Sequence, residues 1–206
     1  MKIPYRKVDA HMMQNIEIEF KNILTKNEYE RLLKFFKIDT TQIFKQENHY
    51  FDTPNFSLKS KESALRIRKK GLNYEMTLKQ PASVGLLETN QTISEDEAQL
   101  AIHFGKLPTG IIQHTIEDSE IPFSTLEYFG SLITKRVEFE YEEGLLVLDH
   151  SIYLDTEDYE LEYEVKNYQT GEKIFIELLE QFKIPARLTE NKIRRFYYRK
   201  YQQTNQ

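Results

Sequence analysis

Within the stretch from Gln14 to Asn22, Glu17, Glu19 and Lys21 alternate with Ile16, Ile18 and Phe20. Successive side chains on a strand point to opposite faces, so two carboxylates and an ammonium share one face and three apolar residues share the other. The pattern recurs along the chain. Arg66 and Arg68 alternate with Leu65 and Ile67; Glu75, Thr77 and Lys79 alternate with Tyr74, Met76 and Leu78. Arg136, Glu138 and Glu140 alternate with Val137, Phe139 and Tyr141, and Glu160, Glu162 and Glu164 with Leu161, Tyr163 and Val165. Glu88 lies in a run of poorer alternation, and Asp149 interrupts an otherwise apolar one. Guanidinium and ammonium groups bind phosphate oxygens. Carboxylates hold hard cations such as Mg²⁺ or Mn²⁺. Together these residue types could hold a polyphosphate and its metal.

That chemistry requires the charged faces to meet. Solvated faces usually mix Thr, Ser, Gln and Lys, whereas here Glu and Arg or Lys recur from strand to strand. A flat sheet with one wet face would explain the alternation; closing the sheet with its charged faces inward would also explain the recurrence, and would remove exposed edges. Helices outside would then cover the apolar faces. The sequence predicts strands over 14–22, 42–52, 64–69, 74–79, 85–93, 125–132, 135–142, 145–154 and 159–166. Hairpin turns are expected at Gly71, at Glu143-Gly144 and at Glu157-Asp158.

Capping boxes at Thr25-Lys26-Asn27-Glu28 and Ser94-Glu95-Asp96-Glu97 open helices over about 26–37 and up to Gly105. A weaker helix is expected over 108–117, another from Thr170-Gly171 to a break at Pro185, and a basic, aromatic one over about 190–201.

The chain has 206 residues and a net charge of −5, which suits one domain with a substantial core and disfavours DNA or an anionic membrane as partner. It contains no cysteine, which excludes disulfides and thiolate metal sites and suits the cytoplasm. No apolar stretch is long enough for a membrane helix. Residues 1–13 have no period and contain His11-Met12, a pair that a cloning site can encode, so they read as a fusion scar or frayed terminus, with a single domain over 14–206. His11, His49, His103, His114 and His150 lack metal-ligand spacing.

Glu17-Ile18-Glu19-Phe20-Lys21 is similar to the ExExK signature of the CYTH superfamily, the triphosphate tunnel metalloenzymes. Tyr50-Phe51-Asp52-Thr53-Pro54, Leu65-Arg66-Ile67-Arg68, Thr77-Leu78-Lys79, Glu88, Arg136, Asp149, Glu160-Leu161-Glu162-Tyr163-Glu164 and Lys192 follow in the family's order. One ExExK is a weak motif; the ordered set, spanning nearly the whole chain after residue 13, is strong. The chain most resembles the small single-domain bacterial members known as adenylyl cyclases or triphosphatases.

The resemblance implies an α+β fold, a closed eight-stranded antiparallel β-barrel with helices outside. It implies Glu17, Glu19, Asp149, Glu162 and Glu164 as metal ligands, and Lys21, Arg66, Arg68, Lys79, Arg136 and Lys192 as triphosphate contacts. Glu75, Glu88 and Glu138 would support them. Asn191-Lys192-Ile193 departs from the Ser-Lys-Tyr of many relatives, which bears on Lys192.

The expected activity is metal-dependent hydrolysis of a triphosphate with Mg²⁺ or Mn²⁺, in which Glu17, Glu19, Lys21, Glu162 and Glu164 take part in catalysis. Cyclisation of ATP by attack of the ribose 3′-hydroxyl is one alternative, and a non-enzymatic polyphosphate- or nucleotide-binding module is another. Arg194, Arg195, Arg199 and Lys200 could form a nucleic-acid patch or a solvated helix face.

Overall fold

The structure, a computed structural model, describes residues 13–204. The expectation for residues 1–13 therefore lies outside the described residues, except that Met13 already begins a strand. Eight strands are present: β1 (Met13–Leu24), β2 (Phe44–Asp52), β3 (Ala64–Lys70), β4 (Asn73–Pro81), β5 (Leu86–Ile93), β6 (Glu127–Tyr141), β7 (Gly144–Tyr153) and β8 (Thr156–Val165). They close into an antiparallel barrel in the order β1-β5-β4-β3-β2-β6-β7-β8. The helices are α1 (Lys26–Phe35), α2 (Ser57–Ser60), α3 (Glu95–Phe104), α4 (Ile111–Asp118), α5 (Tyr168–Gln181) and α6 (Lys192–Thr204).

The alternation settles which way each strand faces. Leu65, Ile67, Met76 and Leu78 point out of the barrel and are buried under Ala98 and Ala101 of α3 and Ile112 and Ile116 of α4. On the other side Leu146, Leu148, Leu161 and Tyr163 are covered by Leu32 of α1 and by Phe175 and Leu178 of α5. Each fully buried side chain of this kind contributes about 1.5–3 kcal/mol through the water it sheds. Ile16 is the exception: it lies on the apolar face of β1 yet is 55% exposed.

Both capping boxes form, at Thr25/Glu28 and Ser94/Glu97, and Gly105 ends α3 in the left-handed region at φ 66°. Three expectations change. The strands expected over 125–132 and 135–142 are one, β6, because no turn residue separates them and the alternation runs on through Ile133 and Thr134. Only the character of the inward residues switches, from Leu132 to Thr134 and Arg136. The turn expected at Glu157-Asp158 falls at Leu154-Asp155, where Leu154 takes φ 50°. The turn expected at Glu143-Gly144 is centred one residue earlier, with Glu142 at φ 49°.

The third cluster lies inside the barrel. Ile193, Phe196 and Tyr197 of α6 pack against Tyr50, Leu132 and Tyr153 and fill one end of the lumen. Gly130 makes room for this plug, since a Cβ there would sit 2.5 Å from the Phe196 ring. Asp52 ties the plug to the wall: it accepts from the Thr53, Leu58 and Lys59 amides and from the Tyr197 hydroxyl.

Candidate active site

A cavity of about 270 Å³ occupies the rest of the lumen. Inward residues from seven strands line it, with Asn191, Lys192 and Ile193 at the start of α6. Glu17, Glu19, Lys21, Arg66, Arg68, Glu75, Lys79, Glu88, Arg136, Glu138, Glu162, Glu164 and Lys192 all border this space. Asp149 does not border it.

The register explains how they meet. Lys21 stands opposite Glu162 and Glu19 opposite Glu164 across β1–β8; Lys79 stands opposite Glu88 across β4–β5; Arg136 stands opposite Asp149 across β6–β7. Lys79 Nζ lies 2.5 Å from carboxylate oxygens of both Glu17 and Glu88, and Lys21 pairs with Glu19. Glu138 pairs with Lys70 at 3.1 Å, near the rim.

The densest network surrounds Asp149, which is fully buried. Arg136 donates from Nε to Asp149 Oδ1 at 2.8 Å and from Nη2 to Asp149 Oδ2 and Glu162 Oε2 at 2.6 Å each. Lys192 reaches Asp149 at 2.8 Å, Glu160 at 2.9 Å and also Glu162. Arg195 closes the network on Glu160 at 2.6 Å and Asp158 at 2.9 Å. Burial opposes charge on Glu160, Glu162, Arg136, Lys192 and Arg195. The Lys192 and Arg136 charges nevertheless hold the Glu162 carboxyl well below its ordinary range, and Asp149 and Glu162 hold the Arg136 guanidinium well above its own. Both Asp149 oxygens are thus occupied by cationic side chains of the protein, as are both Glu162 oxygens.

Two regions of the lumen lack such compensation. Among the described residues Glu164 has only Arg136 Nη1, at 4.0 Å, as an ion-pair partner, and burial together with the nearby Glu17 charge pushes its pKa up to about 7. Burial likewise raises Glu17 despite Lys79, with Glu19 and Glu88 adding repulsion. On β3, Arg66 and Arg68 have no carboxylate within salt-bridge distance among the described residues. Burial, then repulsion from Arg66 and Arg136, lowers Arg68 to about 9.

Among the described residues no three His, Asp or Glu side chains form a ready metal cage. Mg²⁺ does not require one, because it keeps waters and binds through one or two carboxylates plus substrate phosphates. Glu17, Glu19 and Glu164 offer hard oxygen donors where negative charge is in excess, and no histidine lines the cavity. The donor set, all carboxylate oxygen, fits a hard divalent cation.

Asn191 caps α6, its Oδ1 accepting from the Arg194 amide at 2.9 Å. Serine would cap the same way, so the departure from Ser-Lys-Tyr leaves Lys192 at the mouth of the helix and in the lumen. The C-terminal basic residues face the protein's own acids: Arg195 is internal, Arg194 pairs with Glu62 at 3.6 Å, and Arg199 pairs with Asp155 at 2.5 Å.

Sequence reasoning missed Gln46, Asn48, Glu62 and Thr134, which also line the cavity. The alternation through β2 places Gln46 and Asn48 on one face with Tyr50, but a search for charges passes over neutral side chains. Glu160, named in the sequence only as part of the Glu160–Glu164 run, turns out to be buried and paired with Arg195, a partner that lies 35 residues away and so could not be read from spacing.

Residues 15–197 match the CYTH domain family model. The chain is 48% identical over 191 residues to the "putative triphosphatase YjbK" of Bacillus subtilis (strain 168), covering 92% of this chain and 98% of that one. A crystal structure of a "putative adenylate cyclase" from Bacillus halodurans superposes with a TM-score of 0.87 at 45% identity, covering 89% and 98% of the two chains. HpAC1 from Hippeastrum, for which a dominant triphosphatase activity is described, shares the fold with a TM-score of 0.74 at 22% identity over 90% and 96%.

Proposed function

The chain belongs to the CYTH domain family, and on that premise we propose that it hydrolyses a triphosphate in a metal-dependent reaction inside the β-tunnel. The observation that carries this reading is the pairing in the lumen. Arg66 and Arg68 lack acidic partners while Glu164 and Glu17 carry excess negative charge, which a phosphate chain with a divalent cation would satisfy at both places. The resemblance to a protein named as a triphosphatase supports it.

Arg66, Arg68, Lys79, Arg136, Lys21 and Lys192 bind and orient the phosphates. Glu17, Glu19 and Glu164 are the groups that would hold Mg²⁺ or Mn²⁺, which when bound supplies charge neutralisation at the phosphate oxygens. Asp149, expected as a metal ligand, instead positions Arg136 and Lys192, and Glu162 shares that task. Water attacks the terminal phosphorus as its bond to the bridging oxygen breaks. The remainder of the phosphate chain leaves with the bridging oxygen, its gathering charge stabilised by the arginines, while a carboxylate such as Glu164 orients the water and takes up its proton, which leaves with the orthophosphate or to solvent. No helix among the described residues is long and apolar enough to cross a membrane, and the lack of cysteine suits work in the cytoplasm.

Cyclisation of ATP uses the same metal and phosphates, and the resemblance to a structure named as an adenylate cyclase keeps it as the second reading. It further requires a site that folds the ribose behind the α-phosphate. The test is incubation of the protein with tripolyphosphate, thiamine triphosphate, ATP and GTP, each with Mg²⁺ and Mn²⁺, with products separated by chromatography. Orthophosphate release with little cyclic AMP is the expected result. Cyclic AMP and pyrophosphate as main products from ATP would overturn hydrolysis, and no product from any substrate would favour a binding module.

A further inference from the structure

Between Arg68 on β3 and Arg136 on β6, the lumen wall is uncharged. Gln46 and Asn48 face the cavity from β2, and Thr134 faces it from β6. Gln46 and Thr134 stand directly opposite each other in the β2–β6 register, and Asn48 stands opposite Arg68 across β2–β3. Asn48 Oδ1 accepts from Arg68 Nε at 2.8 Å, so that pair is internally satisfied. Gln46 and Thr134 are not. Gln46 is 2% exposed and Thr134 0%, yet among the described residues neither Gln46 Nε2 nor Thr134 Oγ1 has a hydrogen-bond partner.

Burying such groups unpartnered is unfavourable, because each has given up its hydrogen bonds to water without a replacement. An apolar side chain would avoid the cost, as Leu132 does two residues away on the same face of β6. The Gln46 atom is an obligate donor and the Thr134 hydroxyl can donate, so an acceptor satisfies both. Arg66 Nε, on the same side of the lumen, is a further unpartnered donor. Arg66 and Arg68, which have no carboxylate within salt-bridge distance among the described residues, lie on the β3 side of the patch, and Arg136 flanks it on β6, so the acceptor that fits is an anion.

We propose that Gln46 and Thr134 are phosphate-binding residues, donating neutral hydrogen bonds to the non-bridging oxygens of a phosphoryl group seated between Arg68 and Arg136. This rests on the triphosphate reading above. The arginines supply attraction that acts over distance; the amide and hydroxyl act only at contact and fix where the group sits.

Calorimetric titration of tripolyphosphate into metal-free protein, where no turnover interferes, tests the assignment. Thr134→Val and Gln46→Met keep size and remove the donors. Each should raise Kd about tenfold, the low end for a hydrogen bond to a charged group. Thr134→Ser should stay within about twofold of wild type. The slope of binding against salt should be unchanged in both donor-loss variants, because no charge is lost, whereas Arg66→Ala should flatten it. Melting temperature without ligand should hold or rise, since an unpartnered buried group has gone. Should one variant fail to fold, the other carries the test. Wild-type binding matched by both Thr134→Val and Gln46→Met would overturn this assignment and leave the triphosphate reading standing. Wild-type protein that fails to bind tripolyphosphate with or without Mg²⁺ would overturn both.

Discussion

The Asp149 network and the β3 arginines lie in one lumen and obey opposite rules. Around Asp149, Arg136, Lys192, Glu160, Glu162 and Arg195 neutralise one another at contact distance. On β3, Arg66 and Arg68 repel each other, and among the described residues only Asn48 offers them a hydrogen bond, to Arg68. A tally of lumen charges would treat these arginines alike. Pairing separates them: Arg136 and Lys192 meet a ligand already held in place by the protein's own carboxylates, whereas Arg66 and Arg68 come to it without such partners. Glu164 is the acidic counterpart of the β3 arginines, and Glu162, two residues earlier on the same strand, is the counterpart of Arg136.

The sharpest way to break this comparison is to alter each region singly. On the metal side, Glu19→Gln keeps shape and removes one negative charge, so kcat for metal-dependent turnover should fall about 10²–10³-fold with the fold intact. Full activity with unchanged metal dependence would reject the assignment. Between the two arginine sites, Arg136→Ala strands Asp149 and Glu162 and should cost about 3–5 kcal/mol, or about 10 °C in melting temperature. Arg66→Ala should leave the unliganded melting temperature unchanged or higher and reduce the ligand effect instead. In wild type, tripolyphosphate with metal at about 100 times its Kd should add about 2.7 kcal/mol, a rise of about 5–10 °C. Equal losses of intrinsic stability in Arg136→Ala and Arg66→Ala would erase the distinction.

The pH dependence sharpens the acidic half. In metal-free protein Glu164 has a folded pKa of about 7, above the unfolded carboxylate value of about 4.3. The folded state then binds the proton more tightly, so stability falls as pH rises from about 4 to about 7 and levels off above. Glu164→Gln should remove that fall and melt higher than wild type at pH 8 in thermal scans. A profile identical to wild type would show that Glu164 is compensated after all.

The smallest effect concerns a control outside the lumen. Arg187 grips Glu28 with two bonds of 2.9 Å and holds its carboxyl down to about 2. A depressed carboxylate stabilises above its unfolded pKa and loses that contribution as pH falls through its folded one. Glu28→Gln should therefore melt slightly lower than wild type at pH 7, with the gap closing between about pH 4 and pH 2 in acid titration followed by circular dichroism. Turnover below the melting transition should persist. Loss of turnover would mean that any broken ion pair, not those in the lumen specifically, disables the protein.

The sequence by itself determined the barrel's faces. Side-chain direction on a strand follows from a period of two, which is local, so Glu17, Arg66, Lys79 and Glu164 could be placed on inward faces before any partner was known. The capping boxes at Thr25 and Ser94 were legible for the same reason: donor and acceptor lie three residues apart. Family order then indicated closure. What the sequence could not decide was which charges cancel. Lys79 meets Glu17 across 62 residues and Lys192 meets Glu162 across 30, distances set by register and by the seating of α6. Asp149 looked like a ligand because its type and place suited one, and only its contacts revealed both oxygens to be occupied. Gln46 and Thr134 were invisible for the converse reason. They carry no charge, and their meaning arises only where the closed barrel buries them between Arg68 and Arg136, with no hydrogen-bond partner among the described residues.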